Sequence, residues 1–362
     1  MYCIITQNEM SIQNMKNKVK YKRELFKGDG RSMLFIDNKG ITDPRINLAI
    51  EEYALNHLDV EEGLLLFYIN QPSIIIGRNQ NTVEEINTDY VEANDIIVVR
   101  RLSGGGAVYH DLGNLNFSFL TKDEEDNFQN FKKFTQPVVD ALNNMGVNAE
   151  LSGRNDILAE GKKFSGNAMF STKGRMFSHG TLMFDANINE VVNALRPKKE
   201  KIESKGIKSV RSRVTNIIEL LEDKTVTVED FRLEILHSIF GGEENIQYYD
   251  LTDEDWKAIY EISESRYQQW DWNYGKSPKF NTMRSKKFKS GFIDLRLEVK
   301  KGMIEDIHIF GDFFGVGDMV DVESALKGVR YDAQAIKEAL ATIDVPKYFG
   351  GVTTDEFVQL MY

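Results

Sequence analysis

Residues 100–111 read RRLSGGGAVYHD: paired arginines, a serine and three consecutive glycines between two apolar runs. Glycines in series leave most backbone angles open and remove the side chains that would keep a ligand away from the N–H groups. Arg100 and Arg101 set planar cations beside that bare backbone, a combination suited to clamping a phosphate or a carboxylate. The spacing matches neither GxxxxGK[ST] nor GxGxxG, and a glycine triplet alone is also explained as a turn.

Further along, EGKKFSGNAM opens a strand with Lys162 and Lys163. Strand alternation points one of them inward and one outward; a solvated lysine pair is the plainer reading. Asn155 and Asp156, in RND, are good turn residues, and His179, in SHGT, reads equally well as a partnered core histidine. The stretch KGIKSVRSRVTNI, 205–217, is basic and poor in apolar residues, which makes it a long loop.

Composition limits what these groups serve. The 362 residues hold 45 Lys and Arg against 56 Asp and Glu, a net charge of -11, so a broad electrostatic face for nucleic acid is not expected. No run approaches the roughly 18 apolar residues of a membrane span, and a soluble, cytoplasmic chain is expected. The single cysteine, Cys3, excludes an intrachain disulfide. The five histidines lack HxxxH or HxH spacing, so no dedicated metal site is expected and any metal would arrive with a substrate. Residues 1–32 carry a local charge of +4 and no apolar signal core. KGDG, 27–30, is what a ribosome-binding sequence ahead of a start codon at Met33 would encode, so 1–32 is read as a non-native or misannotated extension.

The elements that must position these residues form a mixed pattern. MLFIDN, LLLFYIN, SIIIGRN, DIIVVRRLS and NLNFSFL read as strands. DPRINLAIEEYALNHL reads as a helix with an Asp cap and Pro44 at its first position. A helix ending near Gly146 follows, then strand, turn and strand over 148–171, and another strand from Arg175. Hairpin-length connections favour a mixed or antiparallel sheet. Helices are expected at 228–240 and 253–270, a linker over WDWNYGKSPKFN (270–281), a two-strand hairpin within 288–314, and helices at 331–341 and 354–361.

In this order, RRLSGGGAVYHDLGNLNFSF, RNDILAEGKKFSGNAMFSTKGRMFSHGTLMFD and KGIKSVRSRVTNI resemble the lipoate–protein ligase A group of the biotin/lipoate A/B protein ligase family, across residues 33 to about 362. The resemblance implies an α+β fold: a large catalytic domain with a mixed sheet, 33–272, and a small α+β accessory domain, 273–362. It implies lipoate salvage by ATP-dependent ligation. Lipoate is activated to lipoyl-AMP with release of pyrophosphate, then transferred to a lysine on apo lipoyl domains of 2-oxoacid dehydrogenase E2 subunits or the glycine-cleavage H protein. A monomer is expected.

By the same resemblance Lys163 is the catalytic residue, stabilising charge on carboxylate, α-phosphate and acyl carbonyl. Arg101, Gly106, Ala107, Val108 and Tyr109 would hold the nucleotide and adenylate. Asn155 and Asp156 would bind nucleotide or its Mg2+, and Ser209, Val210 and Arg211 would form an adenylate-binding loop. Arg100, Ser103, Gly104, Gly105 and His179, with Lys163, would contact lipoate. Three alternatives stand beside this. Acyl transfer without ATP needs a cysteine thiolate in the relatives compared, and this chain has only Cys3. Biotin ligase carries GRGRxG, of which GRNQ at 77–80 is a distant echo. A non-catalytic protein that binds lipoate or a lipoyl domain is the third.

Overall fold

The computed structural model describes residues 33–361 except 125, 126, 129, 196–209 and 275–281, and gives the backbone alone at 83, 84, 210 and 211. The strands are β1 (Leu34–Asp37), β2 (Leu64–Ile69), β3 (Ser73–Ile76), β4 (Ile97–Arg100), β5 (Val108–His110), β6 (Asn114–Lys122), β7 (Ala149–Ser152), β8 (Asp156–Ala159), β9 (Lys162–Thr172), β10 (Arg175–Met183), β11 (Gln247–Tyr249), β12 (Thr282–Phe288), β13 (Gly291–Lys300) and β14 (Met303–Gly311). Eight of them make a mixed sheet in the order β11-β1-β2-β6-β10-β9-β8-β7. β1 runs parallel to β11 and β2, and the β2–β6, β6–β10 and β10–β9 pairs are antiparallel. β4-β3-β5 form a second, three-stranded sheet, and β12-β13-β14 a third.

Both faces of the large sheet are covered. Phe117, Phe134, Val138, Phe231 and Ile235 share one core with the helices Phe131–Asn144 and Val228–Phe240. Leu48, Leu55, Leu66 and Tyr267 share the opposite core with the helices Pro44–His57 and Asp253–Ile262. Hence β6 is covered on both sides and its first seven residues are all buried, Leu115, Phe117 and Phe119 on one face and Asn114, Asn116, Ser118 and Leu120 on the other. Local signals set the ends: Asp43 accepts the Arg45 N–H with Pro44 at the first helical turn, and Thr227 and Asp230 form a reciprocal capping box. No helix among the described residues is long and apolar enough to cross a membrane.

Three expectations are corrected. Residues 148–171 make three strands rather than two, because Glu160 and Gly161, both at positive φ, close a second turn after the one at Gly153. The hairpin within 288–314 has a third partner, β12, whose charged edge residues hide its strand character. The stretch read as a linker begins with a helical turn, Trp270–Asn273, whose Asn273 side chain is buried.

Candidate functional site

β4 ends at Arg100, and the glycine loop leads from there to β5. Neighbouring strand residues face opposite ways, and the two arginines do so. Arg101 turns under the loop: Nη2 donates to the Gly104 and Gly106 carbonyls (2.6 and 2.9 Å), Nη1 to the Ile75 carbonyl and Nε to Ser103 Oγ. The loop therefore folds around a guanidinium. Gly105 sits at φ 94°, where a Cβ would meet the Phe314 ring at 2.9 Å and Arg101 at 3.0 Å, so glycine is required on both counts.

Behind the loop runs a buried polar chain. Ser103 Oγ lies 2.7 Å from His179 Nε2, and His179 Nδ1 lies 2.9 Å from Glu51. With Arg101 donating to the serine and the Glu51 carboxylate accepting the Nδ1–H hydrogen bond, Nε2 is the acceptor of the Ser103 hydroxyl. Burial pulls Arg100 and Arg101 down to about 10, which leaves both charged at neutral pH, and Glu51 and Tyr68 counter the fall at Arg101.

Across the cavity stands Lys163, near the start of β9. The β8–β9 ladder shifts register after Ile157, so Leu158 pairs with Lys163 and Ile157 with Ser165. A bulge of this kind re-aims a side chain. Lys163 lies over the bare Cα of Gly166, its Nζ is 2.7 Å from Asp156 Oδ1, and its side chain is 40% exposed. Its carbonyl accepts the Thr215 N–H, which ties the segment after Arg213 to the lysine's own backbone.

Loop and lysine enclose a cavity of about 160 Å³. Of the residues singled out from sequence, Arg101, Gly105, Gly106, Ala107, Val108, Asn155, Lys163 and His179 border it. The others stand elsewhere. Arg100, expected to contact lipoate, is turned away from the cavity in this structure, and its guanidinium donates to the Gly77, Arg78, Gln80, Trp272 and Asn273 carbonyls and to Thr82 Oγ1. Ser103, expected to contact lipoate, is fully buried here and meets the cavity lining through Arg101 and His179. Gly104 packs on the Phe313 carbonyl, and the Tyr109 ring joins the core of the small sheet with Ile74 and Ile96. Asp156 acts at the rim through Lys163. Ser209 lies outside the described residues, while Val210 and Arg211 open a short helical turn, Val210–Arg213, where a loop was expected. Arg101, read as a clamp, spends most of its donors on the loop itself.

Sequence reasoning missed Tyr68, His110, Asn167 and Phe314 on the lining, and Glu51 behind it. His110 Nδ1 meets Asn70 Nδ2 at 3.0 Å, whereas Nε2 is buried without a protein partner, as is Asn167 Oδ1. Burial, helped by Arg101 and His179, pulls His110 down to about 3. It is thus a neutral imidazole, and with Nδ1 accepting from Asn70, Nε2 carries a proton that a bound oxygen can accept. The one local cue was the HD that follows the glycines; nothing near Phe314 in the sequence points to the site.

Both parts of the chain are similar to known proteins. Residues 43–240 match the family model "Lipoyl protein ligase A/B catalytic domain", and 277–361 match "Bacterial lipoate protein ligase C-terminus". The chain is 64% identical over 332 residues to lipoate–protein ligase LplJ of Bacillus subtilis, covering 91% of this chain and 100% of that protein. Its fold is similar to that of P. falciparum LipL1 in complex with lipoate, with a TM-score of 0.71 and 27% identity over 87% of this chain and 95% of that one. It is also similar to lipoate–protein ligase A bound with ATP, with a TM-score of 0.57 and 27% identity over 68% and 99% of the respective chains. The chain belongs to the lipoate–protein ligase family and is an ATP-dependent enzyme of that family.

Proposed function

We propose that the cavity between the glycine loop and Lys163 is where lipoate and ATP are joined, and that the product is passed to the lysine of an apo lipoyl domain. The observation that carries this is one cavity, open at one side, bordered by backbone at Gly105 to Val108, the charge of Arg101 and the ammonium of Lys163. A carboxylate is a poor acyl donor until its oxygen has a better leaving group. Attack of a lipoate oxygen on the α-phosphorus expels pyrophosphate and leaves a mixed anhydride with AMP. An acceptor amine then attacks the acyl carbon and AMP departs. Both steps build negative charge on phosphate and carbonyl oxygens, which fixed cations and N–H donors stabilise without reorganising.

In this reading Lys163 exchanges Asp156 for the oxygens of carboxylate and α-phosphate. The loop N–H groups and His110 Nε2–H are the neutral donors, and the apolar chain of lipoate runs past Leu48, Ile75 and Ala168. Asn155 stands by for the nucleotide. Val210 and Arg211 belong to the adenylate loop expected from the resemblance, and Val214 and Thr215, a few residues on, pair with Lys163. Among the described residues no group of three or more His, Cys, Asp or Glu is arranged for a metal. Asp156 would offer one carboxylate to a Mg2+ that comes with the nucleotide, beside phosphate oxygens and water, and the ion would offset the phosphate charge. Acceptors of the E2 or H-protein type and a cytosolic place of action complete the proposal.

The test is pyrophosphate release from ATP and Mg2+ with and without lipoate and an apo acceptor domain. Lipoate-dependent release that turns over repeatedly only with acceptor present is expected. Release that ignores lipoate would remove the assignment of this cavity.

A further inference from the structure

Neither matched region covers residues 241–276, yet the end of this segment is bound to the root of the glycine loop. β4 is an edge strand of the β4-β3-β5 sheet. At Arg100 its inner side pairs with β3, and its outer backbone groups would be unpaired. Two side chains take the place of a neighbouring strand: Asn273 Oδ1 accepts the Arg100 N–H at 2.9 Å, and Trp272 Nε1 donates to the Arg100 carbonyl at 2.8 Å.

The same pair receives the Arg100 side chain, through Nε to the Trp272 carbonyl (2.9 Å) and Nη2 to the Asn273 carbonyl (3.3 Å). Asn273 is held in turn by its Nδ2 on the Tyr267 carbonyl (2.7 Å) and by Thr82 Oγ1 on its own carbonyl. Arg266 lies over the Trp272 ring, 4.8 Å from its centre. The next residue is Arg101, around which the loop is folded.

We propose that Asn273 and Trp272 are positioning residues for the ligase reaction: by capping the free edge of β4 at Arg100 they fix the angle at which the strand hands over to the glycine loop. The proposal rests on the reading that this loop holds the nucleotide. A loop released from its latch occupies the binding arrangement for only a fraction of the time. Apparent affinity falls by that fraction, while saturating nucleotide restores the arrangement and with it the turnover rate.

The experiment is lipoate-dependent ATP–pyrophosphate exchange on the full chain, with thermal unfolding in parallel. Asn273→Ala raises the KM for ATP about tenfold with kcat within about twofold, and Trp272→Phe, which keeps an aromatic ring but deletes the indole N–H donor, raises it about threefold. A purely structural role predicts the opposite split: a lower melting temperature and less active enzyme, with the KM of the wild type. That result in Asn273→Ala overturns the proposal; should this variant not fold, Trp272→Phe decides in the same way. Gly106→Val separates the two readings, because a Cβ at Gly106 meets nothing within 4 Å among the described residues and so enters the space a ligand would take. An unchanged KM in Gly106→Val overturns the loop reading and this proposal with it. A raised KM there, beside an unchanged one in Asn273→Ala, overturns the latch alone.

Discussion

At the floor of the cavity Glu51, His179, Ser103 and Arg101 are at most 7% exposed and bonded in series, whereas at the mouth Lys163 and Asp156 have side chains 40% and 39% exposed and meet in one ion pair. The two regions differ in what rearrangement costs. A satisfied, buried network holds its charges in place, because leaving any member unpaired in a low dielectric is expensive. An exposed ion pair contributes about 0–1 kcal/mol, so Lys163 can leave Asp156 for an arriving phosphate at little expense. A site that must bind two anions and react them benefits from both: a fixed floor that sets geometry and a mobile cation that follows the charge.

The contrast can be broken from the mouth inward. Lys163→Met is expected to slow lipoate-dependent pyrophosphate exchange by about a thousandfold, roughly 4 kcal/mol of barrier, while the melting temperature stays near that of the wild type. Normal exchange in this variant would return the lysine to the status of a surface residue. Glu51→Ala has the reverse profile: it leaves His179 and Arg101 without their buried carboxylate and lowers unfolding free energy by about 3 kcal/mol, measurable by chemical denaturation. Stability unchanged within error would show that the floor is not held by its charges.

The smallest effect, over the interval from pH 7 to pH 5, concerns His110. Its folded pKa, about 3, lies below the ordinary value of 6.5. The unfolded chain therefore binds a proton that the folded one does not. Its contribution is complete above pH 6.5 and is lost as pH falls from there toward 3, by up to about 1.4 kcal/mol per pH unit. Denaturation at pH 7 and pH 5 should show a shallower loss for His110→Gln than for the wild type. Parallel losses would assign the acid sensitivity to other groups.

What could be read from sequence was local. Bare glycines beside arginines, a lysine opening a strand and the HD after the loop are short-range patterns, and the cavity contains most of them. Strand alternation also implies that Arg100 and Arg101 cannot both face one ligand, a cue open to any reader of β4. Glu51 was concealed because the helix Pro44–His57 is buried at every position from Asn47 to Leu55. A helix enclosed between a sheet and the 253–267 segment has no solvent face, so its adjacent glutamates mislead a reading based on one apolar stripe. Asn273 and Phe314 were out of reach for a simpler reason, since 173 residues separate Asn273 from its partner Arg100. The charged edge of β12 and the turn-rich WDWN each displayed composition where packing decided structure.

Phe314 has a consequence for how the chain must be kept together. The ring follows β14 in sequence yet borders the same cavity as Lys163, stacks edge-on against Phe131 at 5.9 Å and lies under the Arg154 guanidinium at 4.2 Å. Part of the wall of the proposed site is thus supplied by the far end of the polypeptide. Covalent continuity presents it at an effective concentration on the order of millimolar, independent of how dilute the enzyme is. Cut between residues 274 and 282, the molecule would have to assemble that wall by collision, and its specific activity would come to depend on enzyme concentration.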